Sequence, residues 1–207
     1  MRLPLALVIT GTLLAASQAN AADSGAFFGV GAGDMNTHVN DVYGSNYTFD
    51  EGDVGFKLFG GYKFFPWLSV EGAYIDGGSP EVKDSDGAGA SAKLGIELQA
   101  LVAAAVLTLP IGDRFGLFIK PGFAYWGAKT SLEYSDPYIS FKEHQDDNGG
   151  AFFVGGGGEF NFTEHFGARL EYEWFKATPE YDDYYDEFVT EYDASAGFFS
   201  ASFVYTF

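Results

Sequence analysis

Eight times along this chain, apolar residues alternate one for one with small or polar ones. The connections between those segments alternate just as strictly between short and long. A strand sends successive side chains to opposite faces, so a period of two marks a β-strand lying between two unlike surroundings. The segments cover 25–33, 53–64, 68–76, 94–109, 115–129, 150–162, 166–176 and 194–207. Three connections are tight: Phe65-Pro66-Trp67, Pro110 to Arg114, and Thr163-Glu164-His165. Four are long and polar, at 34–52, 77–93, 130–149 and 177–193. Antiparallel strands joined in this way gather every long loop at one end and leave both termini with the turns at the other.

The two faces are sharply unlike. Ala168, Leu170, Tyr172 and Trp174 share one parity, opposed by Arg169, Glu171 and Glu173. Phe199, Phe203, Tyr205 and Phe207 oppose Ser200, Ser202 and Thr206. Val54, Phe56, Leu58, Tyr62 and Phe64 oppose Lys57 and Lys63, and Leu68, Val70 and Tyr74 oppose Ser69 and Glu71. Leu117, Ile119, Phe123 and Tyr125 oppose Lys120, while Phe152, Val154, Phe160 and Phe162 oppose Glu159 and Asn161. The fourth segment reads in two registers. Glu97 and Gln99 are internal in one, the turn at Pro110 favours the other, and a β-bulge within 94–109 would reconcile them.

Volume decides which face points outward. An eight-stranded barrel encloses just enough room for side chains, and the apolar parity carries too many rings for that space. The opposite parity is rich in small residues (Gly29, Gly31, Gly55, Gly61, Gly155, Gly157) that suit a crowded interior. Tyr62, Phe64, Trp67, Phe162 and Phe207 gather near strand ends, as interfacial aromatic girdles do. The expectation is an all-β, eight-stranded antiparallel up-and-down transmembrane β-barrel, with three short periplasmic turns and four long extracellular loops.

Residues 1–21 read as a cleaved secretory signal. Arg2 is followed by a short apolar core from Leu3 to Ala16, then Ala19-Asn20-Ala21 as a small-x-small cleavage site. Residues 22–207 then form the barrel domain. The longest later apolar stretch, Leu98 to Ile111, contains Gln99 and falls short of the ~20 residues a spanning helix needs. With no cysteine, disulfide scaffolds and thiolate chemistry are excluded. Eleven Lys and Arg against 29 Asp and Glu, a formal charge of −18, exclude nucleic acid as partner.

On these residues the chain resembles the transmembrane barrel of OmpA-type outer-membrane proteins. The matching stretches are GGYKFFPWLSVEGAY (60–74), LPIGDRFGLFIKPGFAYWGAKT (109–130), FFVGGGGEFNFTEHFGARLEYEW (152–174) and FSASFVYTF (199–207). The expected match is to the family's barrel alone, without its C-terminal peptidoglycan-binding domain. The resemblance implies a monomer in the bacterial outer membrane, surrounded by lipid and lipopolysaccharide. It implies that Phe207 is the signal read by the barrel assembly machinery. It also implies that Glu71, Lys120, Glu159, Arg169 and Glu171 occupy positions that are lumenal and charged in the family. A lumenal lysine of the family is replaced by Val106, so a gate that switches Arg169 between partners lacks that lysine.

Three sets of residues carry candidate chemistry. Lys57, Lys63, Glu71, Lys120, Glu159, Arg169, Glu171 and Glu173 form an inward charge network, read as a paired polar core or as a narrow or gated pore. In the last loop, Glu180, Asp182, Asp183, Asp186, Glu187, Glu191 and Asp193 interleave with Tyr181, Tyr184, Tyr185, Phe188 and Tyr192. That loop reads as a solvated acidic surface, or as a cation- or partner-binding one, although its spacing is not an EF-hand. His38, His144 and His165 raise a lipid-acting enzyme, but no triad-like spacing accompanies them. The glycine runs 29–33 and 155–158 open no helix and read as strand glycines. No cofactor is expected, and no metal site beyond that cation-binding alternative for the last loop. The leading function is a structural or surface-interaction role: envelope integrity, adhesion or recognition.

Overall fold

In a computed structural model, residues 24–40, 48–79, 81–85, 91–135, 138–176 and 193–207 are described; residues 1–21, expected from the sequence to be a signal, lie outside them. In chain order come β1 (Gly25–Asn40), β2 (Thr48–Phe65), β3 (Leu68–Asp76), β4 (Glu81–Ser85) and β5 (Ser91–Ile111). They are followed by β6 (Phe115–Ser135), β7 (Ser140–Asn161), β8 (Phe166–Lys176) and β9 (Asp193–Thr206). All pairings are antiparallel. β9 returns to β1, from Phe27↔Thr206 to Asn40↔Asp193, and β3 pairs with β5, which closes the sheet on itself. Closure leaves the barrel wall without an open edge. Among the described residues no helix is long and apolar enough to cross a membrane.

Nine segments build eight walls, because β4 continues the wall of β3 along β5. Asp76 pairs with Gln99 and Glu81 with Gly95, so five steps on this wall match four on β5. The break falls at Gly78, whose φ of 79° suits glycine and whose N–H donates to Asp76 Oδ1 at 3.1 Å. Below the break, the three tight connections stand where the sequence places them.

The long connections differ from expectation. Strand pairing consumes much of 34–52 and 77–93, and nearly all of 130–149 becomes a hairpin closed by Ser135↔Ser140. Its arms are held by stacked Tyr134 and Phe141 rings, 5.5 Å apart, and by a Lys142–Glu133 ion pair. Where a ribbon stands in water on both faces, apolar alternation is no longer required. Polar composition there does not mean loop.

The fourth wall, whose register the sequence left open, is resolved without a bulge against β6. The β5–β6 register runs without a shift from Ser91↔Ser135 to Ile111↔Phe115. Leu98, Ala100, Val102, Ala104 and Val106 all face inward, while Glu97 and Gln99 face outward. Glu97 is tolerated there because it sits opposite Lys129, beyond the Leu101↔Tyr125 pair.

Elsewhere the parity reading holds on every wall. Phe123 and Phe203 are 71% and 61% exposed on the outer face, and Lys120 and Glu171 are 0% and 1% exposed on the inner. The apolar surface is therefore the one that meets lipid.

Candidate functional site

The inward-facing charges converge from five strands into one dry cluster. Lys57 on β2 donates to Glu171 Oε1 at 2.8 Å and Glu173 Oε1 at 2.7 Å. Lys120 on β6 donates to Glu71 Oε1 at 3.0 Å, to Glu173 Oε1 at 2.6 Å, and to Glu171 Oε2. Arg169 on β8 reaches down to Glu159 Oε2 and across to Glu71 Oε2, each at 2.6 Å. Ser202 on β9 adds a longer bond to Glu171 Oε1 at 3.4 Å. Each ammonium or guanidinium thus meets two or more carboxylates, the arrangement that offsets the desolvation of buried charge.

Aromatic rings bracket the ions. Toward the turns, Lys57 lies 4.8 Å from the Phe59 ring centre, and the Arg169 guanidinium lies 5.1–5.4 Å from Phe27, Phe59 and Phe118. Cations over ring faces in a water-poor site gain about 2 kcal/mol or more each. Toward the long connections, Ile75, Trp126, Phe153, Phe175 and Phe198 are buried above the cluster at 0–2% exposure. The lumen is a sandwich of an aromatic floor, an ionic middle and an aromatic roof.

Glycines make the sandwich fit. Gly29 sits opposite Phe59, and a Cβ there would meet the ring tip at 2.2 Å. Gly61 sits opposite Phe27 in the same relation, at 2.6 Å.

Seven of the eight charges expected in the network are brought together. Lys63 shares the inner face six residues nearer the turn than Lys57; among the described residues it makes no close ion pair, but its charge acts on Glu159 at the turn side of the network. The inward rings were not expected from the sequence, yet a signal for them exists. Neighbours in a strand face opposite sides, so Phe27-Phe28, Phe152-Phe153 and Phe198-Phe199 must each turn one ring into the lumen.

Glu71, Glu171 and Glu173 bring carboxylate oxygens within 4.8 Å of one another, a metal-like spacing. The ammonium groups of Lys57 and Lys120 already occupy the space between them, so the set does not suit a metal ion. Three buried atoms, Glu173 Oε2, Ser200 Oγ and Trp126 Nε1, have no hydrogen-bond partner among the described residues.

A closed antiparallel ring with an apolar outside and paired charges inside is the geometry of a barrel that spans a membrane. The profile of the outer membrane protein β-barrel domain family matches residues 9–207. The chain belongs to that family. Among curated relatives, outer membrane protein A of Klebsiella pneumoniae is 30% identical over 142 residues, covering 66% of this chain and 39% of the relative. The Shigella flexneri protein of the same name is 29% identical over 158 residues, covering 76% and 43%. The chain thus spans about two-fifths of the length of these curated relatives. Among solved structures, Ail of Yersinia pestis in complex with the heparin analogue sucrose octasulfate superposes with a TM-score of 0.53. It is 17% identical and covers 87% of this chain and 98% of that one, a likeness of fold. The protein is an OmpA-like β-barrel of the bacterial outer membrane.

Other expected site residues fall at the two ends of the barrel. Phe207 packs edge-on against Tyr205, and its N–H donates to the Ala26 carbonyl at 3.0 Å, joining the end of the chain to the start of β1. His165 bonds the Thr206 carbonyl at the turn end, whereas His144 is exposed at the far end of β7, and His38 lies within β1. The histidines are not assembled into one site. Of the acidic residues in the last loop, Glu180, Asp182, Asp183, Asp186, Glu187 and Glu191 lie outside the described residues; Asp193 opens β9.

Proposed function

We propose that this barrel is a sealed scaffold whose role is structural and adhesive, exerted at the cell surface through the parts that rise above the membrane. The observation that carries the reading is the filled lumen. Ions paired at 2.6–3.0 Å and capped by Phe153, Phe175, Phe198 and Trp126 leave the solvent-facing ends, rather than the axis, to do the work. The same packing weighs against the solute-pore alternative, because an apolar constriction opposes ion passage even where charges line the path. Separation of His144 from His165 weighs against a lipid-acting enzyme.

In this reading residues 1–21 direct export and are removed. The barrel assembles as a monomer among outer-membrane lipid and lipopolysaccharide, with Phe207 read by the assembly machinery and the tight turns facing the periplasm. The acidic, tyrosine-rich residues 178–193 belong to the contact surface. A polyanion such as the heparin analogue held by Ail is a poor candidate ligand, because a chain of net charge −18 repels it.

The test joins two assays on one pair of proteins. Wild type and a variant lacking 178–193 are reconstituted in planar bilayers and displayed on cells. Silent bilayers for both, with adhesion reduced by the deletion, support the reading. Steady conductance by the wild type would replace it with the pore.

A further inference from the structure

We propose that a crevice on the lipid face of β1, β8 and β9 is a binding site for a phospholipid with a primary-amine headgroup. One acyl chain lies in the crevice, and the ammonium meets the turn that carries Glu164 and His165. The crevice encloses about 140 Å³, and its lining is apolar. Two rows of outward side chains wall it. Phe28, Tyr205 and Phe166 stand level across the three strands on the turn side, and Val30 is paired with Phe203 on the other. The floor is the Gly29↔Val204 pair. Val204 points into the lumen, and so would a Cβ on Gly29, which would strike Phe59; the floor is therefore bare main chain. The wall nearer the turns is held in place. Phe166 and Phe207 meet the Tyr205 ring edge-on at 5.1 Å, and His165 stacks on it at 5.9 Å. A site formed in advance loses less freedom when its ligand enters. Apolar hollows exclude water, and hydrocarbon is the medium that borders this wall.

The polar groups at the turn end of the crevice select the headgroup. Nδ1 of His165 donates to the Thr206 carbonyl at 2.9 Å, so the neutral ring presents Nε2 as an acceptor. Glu164, exposed beside it in the chain, only accepts as a carboxylate. Thr163 Oγ1 is already engaged by the N–H groups of His165 and Phe166, at 3.2 and 3.0 Å. Residues 25–31, 162–168 and 203–207 include no Lys or Arg, and Lys63, paired with Gly25, faces the lumen. An end with acceptors and no fixed cation suits an ethanolamine ammonium, which has N–H groups to give. A choline has none, and the net negative charge of a glycerol-headgroup phospholipid is repelled by Glu164. The tight turns face the periplasm in the reading above, which opens the crevice onto the phospholipid leaflet of the outer membrane. The site depends on that placement and not on the surface role.

The experiment uses the full barrel in a nonionic detergent, with unheated gel mobility to confirm folding. Phospholipids with ethanolamine, choline and glycerol headgroups and identical acyl chains are titrated, and native mass spectrometry reads the lipid-bound fraction. The ethanolamine lipid is expected to bind about tenfold more tightly than the other two, the worth of one charge-assisted hydrogen bond. Val30→Trp fills the crevice with apolar bulk and is expected to weaken that binding about tenfold, whereas Ile119→Trp, on the lipid face of β6, leaves it unchanged. Glu164→Gln with His165→Phe, which keeps a ring over Tyr205, is expected to bring the ethanolamine lipid down to the choline level. Equal binding of all three lipids overturns the headgroup assignment. So does a preference for choline, which would mark the ring faces rather than the acceptors as the site. Equal loss in Val30→Trp and Ile119→Trp, or none in either, overturns the crevice. The placement is tested separately. Asp113→Cys gives this cysteine-free chain a single thiol in a tight turn, and an impermeant maleimide is expected to label it only in permeabilised cells. Labelling in intact cells overturns the leaflet assignment. Val30→Trp is expected to leave adhesion intact, so loss of this site does not remove the surface role.

Discussion

Replacing Lys120 with methionine probes the ionic middle of the lumen most directly. The side chain is fully buried and contacts Glu71, Glu171 and Glu173 at once. Methionine keeps most of the volume and removes the charge, leaving those carboxylates to Lys57 and to the one bond from Arg169 to Glu71. Stranding charge in this way costs about 3–5 kcal/mol. With a urea dependence of about 2 kcal/mol per molar, the unfolding midpoint in vesicles falls by roughly 1.5–2.5 M. The control is Lys120→Met combined with Glu173→Gln, which restores the balance of paired charge and targets the carboxylate that has one oxygen without a partner. The double variant is expected to recover about 1–3 kcal/mol relative to the sum of the single ones. Tryptophan fluorescence follows the transition, and unheated gel mobility confirms that each variant folds. A single variant within about 1 kcal/mol of wild type, or strict additivity in the double, would refute the claim that these ions form one interdependent set.

Three further outcomes test other parts of the barrel. Phe198→Ala, in the aromatic roof, is expected to cost about 3–5 kcal/mol and to raise bilayer conductance above the wild-type baseline, whereas Lys120→Met with Glu173→Gln leaves conductance unchanged because the roof is intact. Gly29→Ala drives a methyl into the Phe59 ring and should lower stability by about 1–3 kcal/mol; adding Phe59→Leu should return part of it, as read by the same urea titration. Leu170→Arg, on the lipid face, is expected to cost about 2–4 kcal/mol near the bilayer midplane, while Leu170→Phe stays near wild type.

Face, closure and turn positions were written in the sequence; height and length were not. Parity put Arg169, Glu171 and Lys120 inside because one step along a strand always reverses the face. It put Lys63 there too, but parity carries no information about depth. Six residues separate Lys63 from Lys57, roughly 20 Å of strand, and only the closed register reveals which inward charges share a level. Strand ends failed for a related reason. Within the bilayer two unlike solvents enforce alternation, so β3 and β8 are bounded as expected. Beyond it water lies on both sides, and 131–135 pair with 140–144 without strict apolar alternation. The inward rings sit among the glycines of the small-residue parity, and only the paired phenylalanines, each of which must turn one ring in, mark them in the sequence.

The buried ions also explain why the barrel has one register. A slip of β8 by a single residue would carry Arg169, Glu171 and Glu173 onto the lipid face and send Leu170, Tyr172 and Trp174 into a lumen already filled by the rings of Phe27, Phe59 and Phe118. At about 1–4 kcal/mol for each charge placed in hydrocarbon, the slip costs roughly as much as a whole small domain gains on folding. An apolar lumen would pack without strain but would not discriminate: with both parities greasy, the slipped and native pairings present similar faces to lipid. The ionic middle therefore contributes less as net attraction than as a penalty on every alternative alignment. The turns share that task, since the Phe65–Leu68 connection allows one irregular step in the β2–β3 register, and the inward charges of Lys57 and Glu71 then fix which pairing follows.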